Sequence, residues 1–156
     1  MKRIGIQKGF SLIELLIVIA LIAIMMGFAV PTWQRYAANS DLKTAAREVK
    51  ADLFNVRQRA VEENVDFYRL TFNTVGNSYV LTRSDTGVTV WTKSLAALGK
   101  GITINAVNFS GGSVISFQRR GTMSQWGSVT LRNSIGSTAT VTVNITGRSH
   151  VDFTMQ

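Results

Sequence analysis

The most distinctive pattern along the chain is an unbroken apolar run. From Phe10 to Val30 the sequence FSLIELLIVIALIAIMMGFAV holds 21 residues with a single charge, Glu14. As a helix rising ~1.5 Å per residue, such a run crosses a hydrocarbon core about 30 Å thick. A secretory signal peptide has a shorter apolar region followed by a small-residue cleavage site. Here the run passes directly into helix-forming sequence, so ordinary signal cleavage is disfavoured. Beyond Pro31, Leu42, Ala45, Ala46, Val49, Leu53, Val56 and Ala60 recur at spacings of three and four, which is one apolar stripe on an amphipathic helix. Pro31 itself lacks an N–H and crowds the preceding turn, so it predicts a kink, a locally melted turn or a helix end, each leaving a flexible joint. One long helix is expected from residue 10 to about 64, its first half an anchor and its second half laid on a C-terminal domain.

From Tyr68 onward the period changes to two. The segments FYRLTFN, SYVLTRS, TVWTKSL, GITIN, SVISFQRRG, GSVTLRN, ATVTVNITGR and HVDF are rich in Val, Thr, Ile and Phe and read as seven or eight short antiparallel strands. VGNS, SDTG, SGGS and SIGS supply turns between them. The fold class is α+β, a helix packed on sheet. The expected organisation is a basic leader over 1–9, a transmembrane helix over 10–30, an amphipathic helix over 31–66 and a β-rich globular domain over 67–156.

Charge refines this picture through its distribution. The formal total is +8, of which Lys2, Arg3 and Lys8 give +3 in the leader and Glu14 returns −1. Basic residues beside an apolar span stay cytoplasmic, which predicts a single-pass inner-membrane protein with its N-terminus inside and its C-terminal domain in the periplasm. Six cations and six anions balance between 32 and 66, and this set, Glu48 and Asp52 included, reads as a solvated helix face. Beyond 66, eight cations against Asp85 and Asp152 leave +6, the balance of a surface that attracts polyanions.

Chemistry of other kinds is largely excluded. With no cysteine there is neither a disulfide framework nor a thiolate metal site, and one histidine, His150, cannot build a metal cluster. His150 and Asp152 share a strand face while Ser149 points to the other, so no hydrolase triad forms. Ser110-Gly111-Gly112-Ser113 lacks the lysine and spacing of a phosphate loop. No enzyme activity, cofactor or metal is expected.

The segment Lys8-Gly9-Phe10-Ser11-Leu12-Ile13-Glu14-Leu15 resembles the processing signal of type IV prepilins: a basic leader ending in Gly, an aromatic residue, an apolar stretch and Glu at the fifth mature position. The resemblance implies that a prepilin peptidase cuts between Gly9 and Phe10 and methylates the new Phe10 amine. It also implies that Glu14 pairs with that amine on a neighbouring subunit. Physics agrees, because a carboxylate inside a membrane helix costs about 2.5–3.5 kcal/mol and needs a partner. Farther on, Ile115-Ser116-Phe117-Gln118-Arg119-Arg120-Gly121, Val129-Thr130-Leu131 and Val141 to Arg148 are similar in order to the C-terminal half of the GspH/FimT family: a Phe-containing strand ending at Gly, an apolar strand, then a strand ending in Gly-Arg. This implies a minor pilin of a type IV pilus, or a GspH-like pseudopilin of a type II secretion system, with other major and minor pilins or pseudopilins as partners. Its destination would be a cell-surface pilus or a periplasmic pseudopilus.

DNA is the further candidate partner. Arg119, Arg120, Arg132 and Arg148, with Lys93 and Lys100, are available to neutralise phosphates, and Trp91, Trp126 and Phe117 to stack on bases if exposed. DNA-binding pilins of the FimT type carry Gly-Arg-x-Arg near the C-terminus. Gly147-Arg148-Ser149-His150 matches its first two positions and places His150, a weaker phosphate partner, where the second Arg would stand. The alternative is a plain strand turn at Gly147 with Arg148 solvated.

Overall fold

The structure, a computed structural model, describes residues 10–156, except for the side chains of residues 28–31. The leader, including Gly9, lies outside the described residues. Among the described residues there are one α-helix and eight strands. The helix α1 runs Leu12–Glu62 and is helical through Pro31. The strands are β1 (Tyr68–Asn73), β2 (Ser78–Arg83), β3 (Thr89–Ser94), β4 (Thr103–Phe109), β5 (Val114–Phe117), β6 (Gly127–Arg132), β7 (Thr138–Val143) and β8 (Ser149–Thr154), with a short 3-10 turn at Leu95–Ala97. The chain divides into two compact units, Met1–Tyr36 and Ala37–Gln156.

In the first unit the helix is apolar all round and exposed all round. Leu12, Ile13, Leu15, Ile17 and Val18 point in different directions about the axis, and every one is more than 40% accessible. A helix with no polar side finds its cover outside its own fold, in lipid or in other apolar helices. By length and composition this segment is able to cross a membrane. Trp33 and Tyr36 follow it, both exposed, with ring centroids 6.2 Å apart.

In the second unit the seven apolar stripe residues expected from the spacing, Leu42 to Ala60, are all buried to 2% accessibility or less. The helix ends where Asn64 adopts φ +54, with the Val65 N–H donating to the Ala60 carbonyl (3.0 Å) and the Asn64 N–H to Val61 (3.1 Å). Those are the two bonds of a left-handed C-terminal cap, and asparagine tolerates that backbone region. Strands then form two four-stranded antiparallel sheets, ordered β3-β2-β1-β5 and β4-β6-β7-β8. Strict alternation in β1 and β7 sends Tyr68, Leu70 and Phe72, and Ala139, Val141 and Val143, to the core. Both sheets and the helical stripe contribute to one apolar cluster. The core therefore sits under the second half of α1.

One boundary differs from the sequence expectation. The strand read as ending in Gly147-Arg148 stops at Val143, and Asn144 closes a turn by accepting from the Gly147 N–H (2.9 Å) through its carbonyl and from the Arg148 N–H (2.9 Å) through its side chain. An Asn that satisfies two amides outcompetes continued pairing. Arg148 is thus presented by a turn.

Candidate functional site

At the start of α1 the geometry is simple. Phe10 is exposed, the Leu15 N–H donates to the Ser11 carbonyl (3.2 Å), and Glu14 stands exposed in the first helical turn. A carboxylate there is favoured by the partial positive charge of the helix N-terminus. Among the described residues it is also the one acidic or basic side chain between Phe10 and Gly27.

The basic residues of the β domain scatter more than their sequence suggests. Lys93, on β3, is not free: its ammonium meets Glu48 at 2.8 Å and both oxygens of Asp52 at 2.8 and 3.0 Å. Asp52 is 7% accessible and accepts the Tyr79 hydroxyl at 2.7 Å as well. Asp52 is therefore buried, contrary to the solvated face expected of it, because two donors from the first sheet, Lys93 and Tyr79, take the place of water. Burial works against the Lys93 charge, but the hydrogen bonds to Asp52 and Glu48 outweigh it and hold the ammonium above the ordinary lysine range. Burial first, and then the bond to Asp52, push the Tyr79 hydroxyl far above the usual tyrosine value. This cluster clamps α1 to β2 and β3.

Arg119 is engaged with Asp66, through its backbone N–H (2.8 Å) and its guanidinium (3.4 Å), and Arg120 is exposed in the same turn. Arg132 lies at the far end of β6. It pairs with Thr138, while Gly127, at the end beside the Arg148 turn, pairs with Val143. At ~3.4 Å per residue, that separates Arg132 from the Arg148 end by about 17 Å. His150 Nε2 stands 3.1 Å from Asp152 Oδ2 on the outer face of β8, both exposed, while Ser149 faces the helix side. Of the three aromatics singled out for stacking, Phe117 is fully buried, Trp91 is half-buried edge-on to Tyr79, and Trp126 is 60% exposed. Trp126 borders a separate, uncharged trough on the other side of the Asn144–Arg148 turn.

What Arg148 does join is a set of helix residues that charge counting overlooks. An open groove of about 540 Å³ runs between α1 and the β7–β8 turn, bordered by Arg47, Lys50, Phe54, Arg57, Gly147 and Arg148. Arg57 donates to the Gly121 carbonyl at 2.6 Å, which ties the Gln118–Gly121 turn and the Arg148 turn to the same side chain. Among the described residues none of these four cations forms an ion pair. The signal was present in the sequence: Lys43, Arg47, Lys50, Phe54 and Arg57 fall at alternating spacings of four and three, one edge of the helix. Summing the stretch to zero hid it, since the acids Glu48 and Asp52 lie on the opposite edge.

Known proteins match this chain over short lengths. Residues 5–30 match the model of the prokaryotic N-terminal methylation motif. A fimbrial protein of Pseudomonas aeruginosa is 49% identical over 45 residues, 29% of each chain. The fimbrial protein EcpC of Eikenella corrodens is 52% identical over 40 residues, 26% of each chain. The type IV major fimbrial protein FimA of Dichelobacter nodosus is 46% identical over 44 residues, 28% of each. The chain thus spans less than a third of the length of these relatives. No solved structure matches it. With that motif at residues 5–30, and one long helix followed by antiparallel sheet, the chain is similar to the type IV fimbrial proteins at the level of its methylation motif, and its α+β architecture is consistent with the type IV pilin fold.

Proposed function

We propose that the chain is a minor pilin of a type IV pilus: a prepilin peptidase cuts between Gly9 and Phe10, the new Phe10 amine is methylated, and the subunit waits in the inner membrane before entering or capping a filament. The observation that carries this reading is the apolar helix, exposed on every side and interrupted by the single carboxylate of Glu14. Such a surface is covered by lipid in the membrane and by like helices in a filament. Once water is excluded, Glu14 needs a cation, and the Phe10 amine of a neighbouring subunit supplies one. Trp33 and Tyr36, exposed at the end of the apolar run, are the residue types that sit at a membrane interface. Partner subunits are other major and minor pilins.

Mass spectrometry of the protein recovered from peptidase-competent cells tests the reading. The expected N-terminus is Phe10 carrying one methyl group, and Glu14→Leu is expected to be processed normally yet to fail to enter filaments. An intact Met1 in those cells would overturn the proposal. A second reading, a DNA receptor on the filament, is favoured by the meeting of Arg148 with Arg47, Lys50 and Arg57. The same basic surface favours a pilus over the secretion pseudopilus, in which positive charge has no evident use.

A further inference from the structure

The groove between α1 and the β7–β8 turn combines three features. Its charged lining is entirely cationic, supplied by two elements distant in sequence, Arg47, Lys50 and Arg57 from the helix and Arg148 from the turn. None of these cations forms an ion pair among the described residues, so none is neutralised within the fold. Between them lies Phe54, an aromatic ring 50% exposed in the middle of a charged surface. The position of the turn is fixed: Gly147 has φ +78, and its missing Cβ leaves room for Arg57, which is itself bound to the Gly121 carbonyl.

We propose that this groove binds single-stranded nucleic acid, with Arg47, Lys50 and Arg148 holding the phosphates and Phe54 stacking on a base. The proposal rests on the DNA-receptor reading and assigns its site to helix residues. Cations along a groove recognise a phosphate backbone, and each contact releases counterions. An exposed ring among them adds a stacking platform, which an unpaired strand uses and a duplex does not, because paired bases already stack on each other. Arg57 is left to hold the two turns. Arg119, tied to Asp66, and Arg132, about 17 Å along β6, stand apart from the groove.

The test uses the full chain in neutral detergent micelles and follows the anisotropy of a labelled oligothymidine, a duplex of equal length and heparin across a salt series. The expected result is single-strand binding that weakens steeply with salt. Arg47→Ala/Lys50→Ala and Arg148→Ala should each lose roughly tenfold or more and flatten the salt slope by about one per lost phosphate contact. Phe54→Ala should lose roughly tenfold for the single strand, keep the salt slope and leave the duplex unaffected. These side chains are exposed, so unchanged melting curves would separate lost binding from lost fold. If the wild type binds no oligonucleotide at low salt, the DNA reading fails and the groove assignment with it. If it binds but only Arg119→Ala/Arg120→Ala weakens it, the reading stands and the groove is overturned. Equal affinity for duplex or heparin, with Phe54→Ala silent, would reduce the groove to an unspecific polyanion surface and overturn the single-strand assignment.

Discussion

Gly147 is where a single hydrogen atom decides the local structure. A methyl group there would lie 2.6 Å from Arg57 Nε and 2.7 Å from the Gly121 carbonyl, and its φ of +78 disfavours any L side chain. Backbone is among the clashing groups, so the strain is not relieved by a rotamer change. Gly147→Ala is expected to cost about 2 kcal/mol in urea unfolding and to displace Arg148 from the groove. A turn at Gly147 was only one of two readings the sequence left open, and the reason for it was not legible, since Arg57 is remote in sequence. Lys93 illustrates the opposite failure. Nothing around it in β3 announces that two helix carboxylates face it, so in the sequence it looks like any other basic surface residue.

The second half of α1 is an element with three working sides. Its apolar stripe was fully legible, because a period of 3.6 residues fixes which side chains share a face. The same period also marks its two charged edges, but not their neighbours, since the sequence does not say which sheet lies against which edge. On the acidic edge, Lys93→Met is expected to cost about 2 kcal/mol, leaving Asp52 buried with Tyr79 as its remaining donor from the clamp. Chemical denaturation reads that loss directly, and a double-mutant cycle with Asp52→Asn should recover part of it. The same clamp sets an alkaline limit. Lys93 and Tyr79 both have folded-state values raised above their ordinary ones, so the stability they confer is complete below the unfolded values, near pH 10. It is lost as pH rises through the folded values. Thermal melts should be flat to about pH 9 and fall above about pH 10, with a shallower fall in Tyr79→Phe.

For the molecule as a whole, every buried apolar residue of the core, from Leu42 to Val143, belongs to the unit Ala37–Gln156. A fragment beginning at Ala37 is therefore expected to be soluble without detergent and to unfold in a single cooperative transition, with the same urea midpoint as the full chain in micelles. A broad or absent transition would mean that the apolar half of α1 is required for folding. Seven or eight strands were legible from their alternation and turn residues, and eight form, but their division into two sheets was not legible. Each strand fits either sheet equally well until long-range pairing, such as β1 with β5, chooses. The helix edges leave one more consequence. Residues 32–66 carry equal numbers of opposite charges yet hold Arg47, Lys50 and Arg57 on one side and Glu48 and Asp52 on the other, a sideways electrical polarity in a segment with no net charge. Exchanging Arg47 with Glu48 would leave mass, composition and isoelectric point untouched and still reverse that polarity locally, so a chain indistinguishable by electrofocusing would meet its surroundings with the wrong side forward.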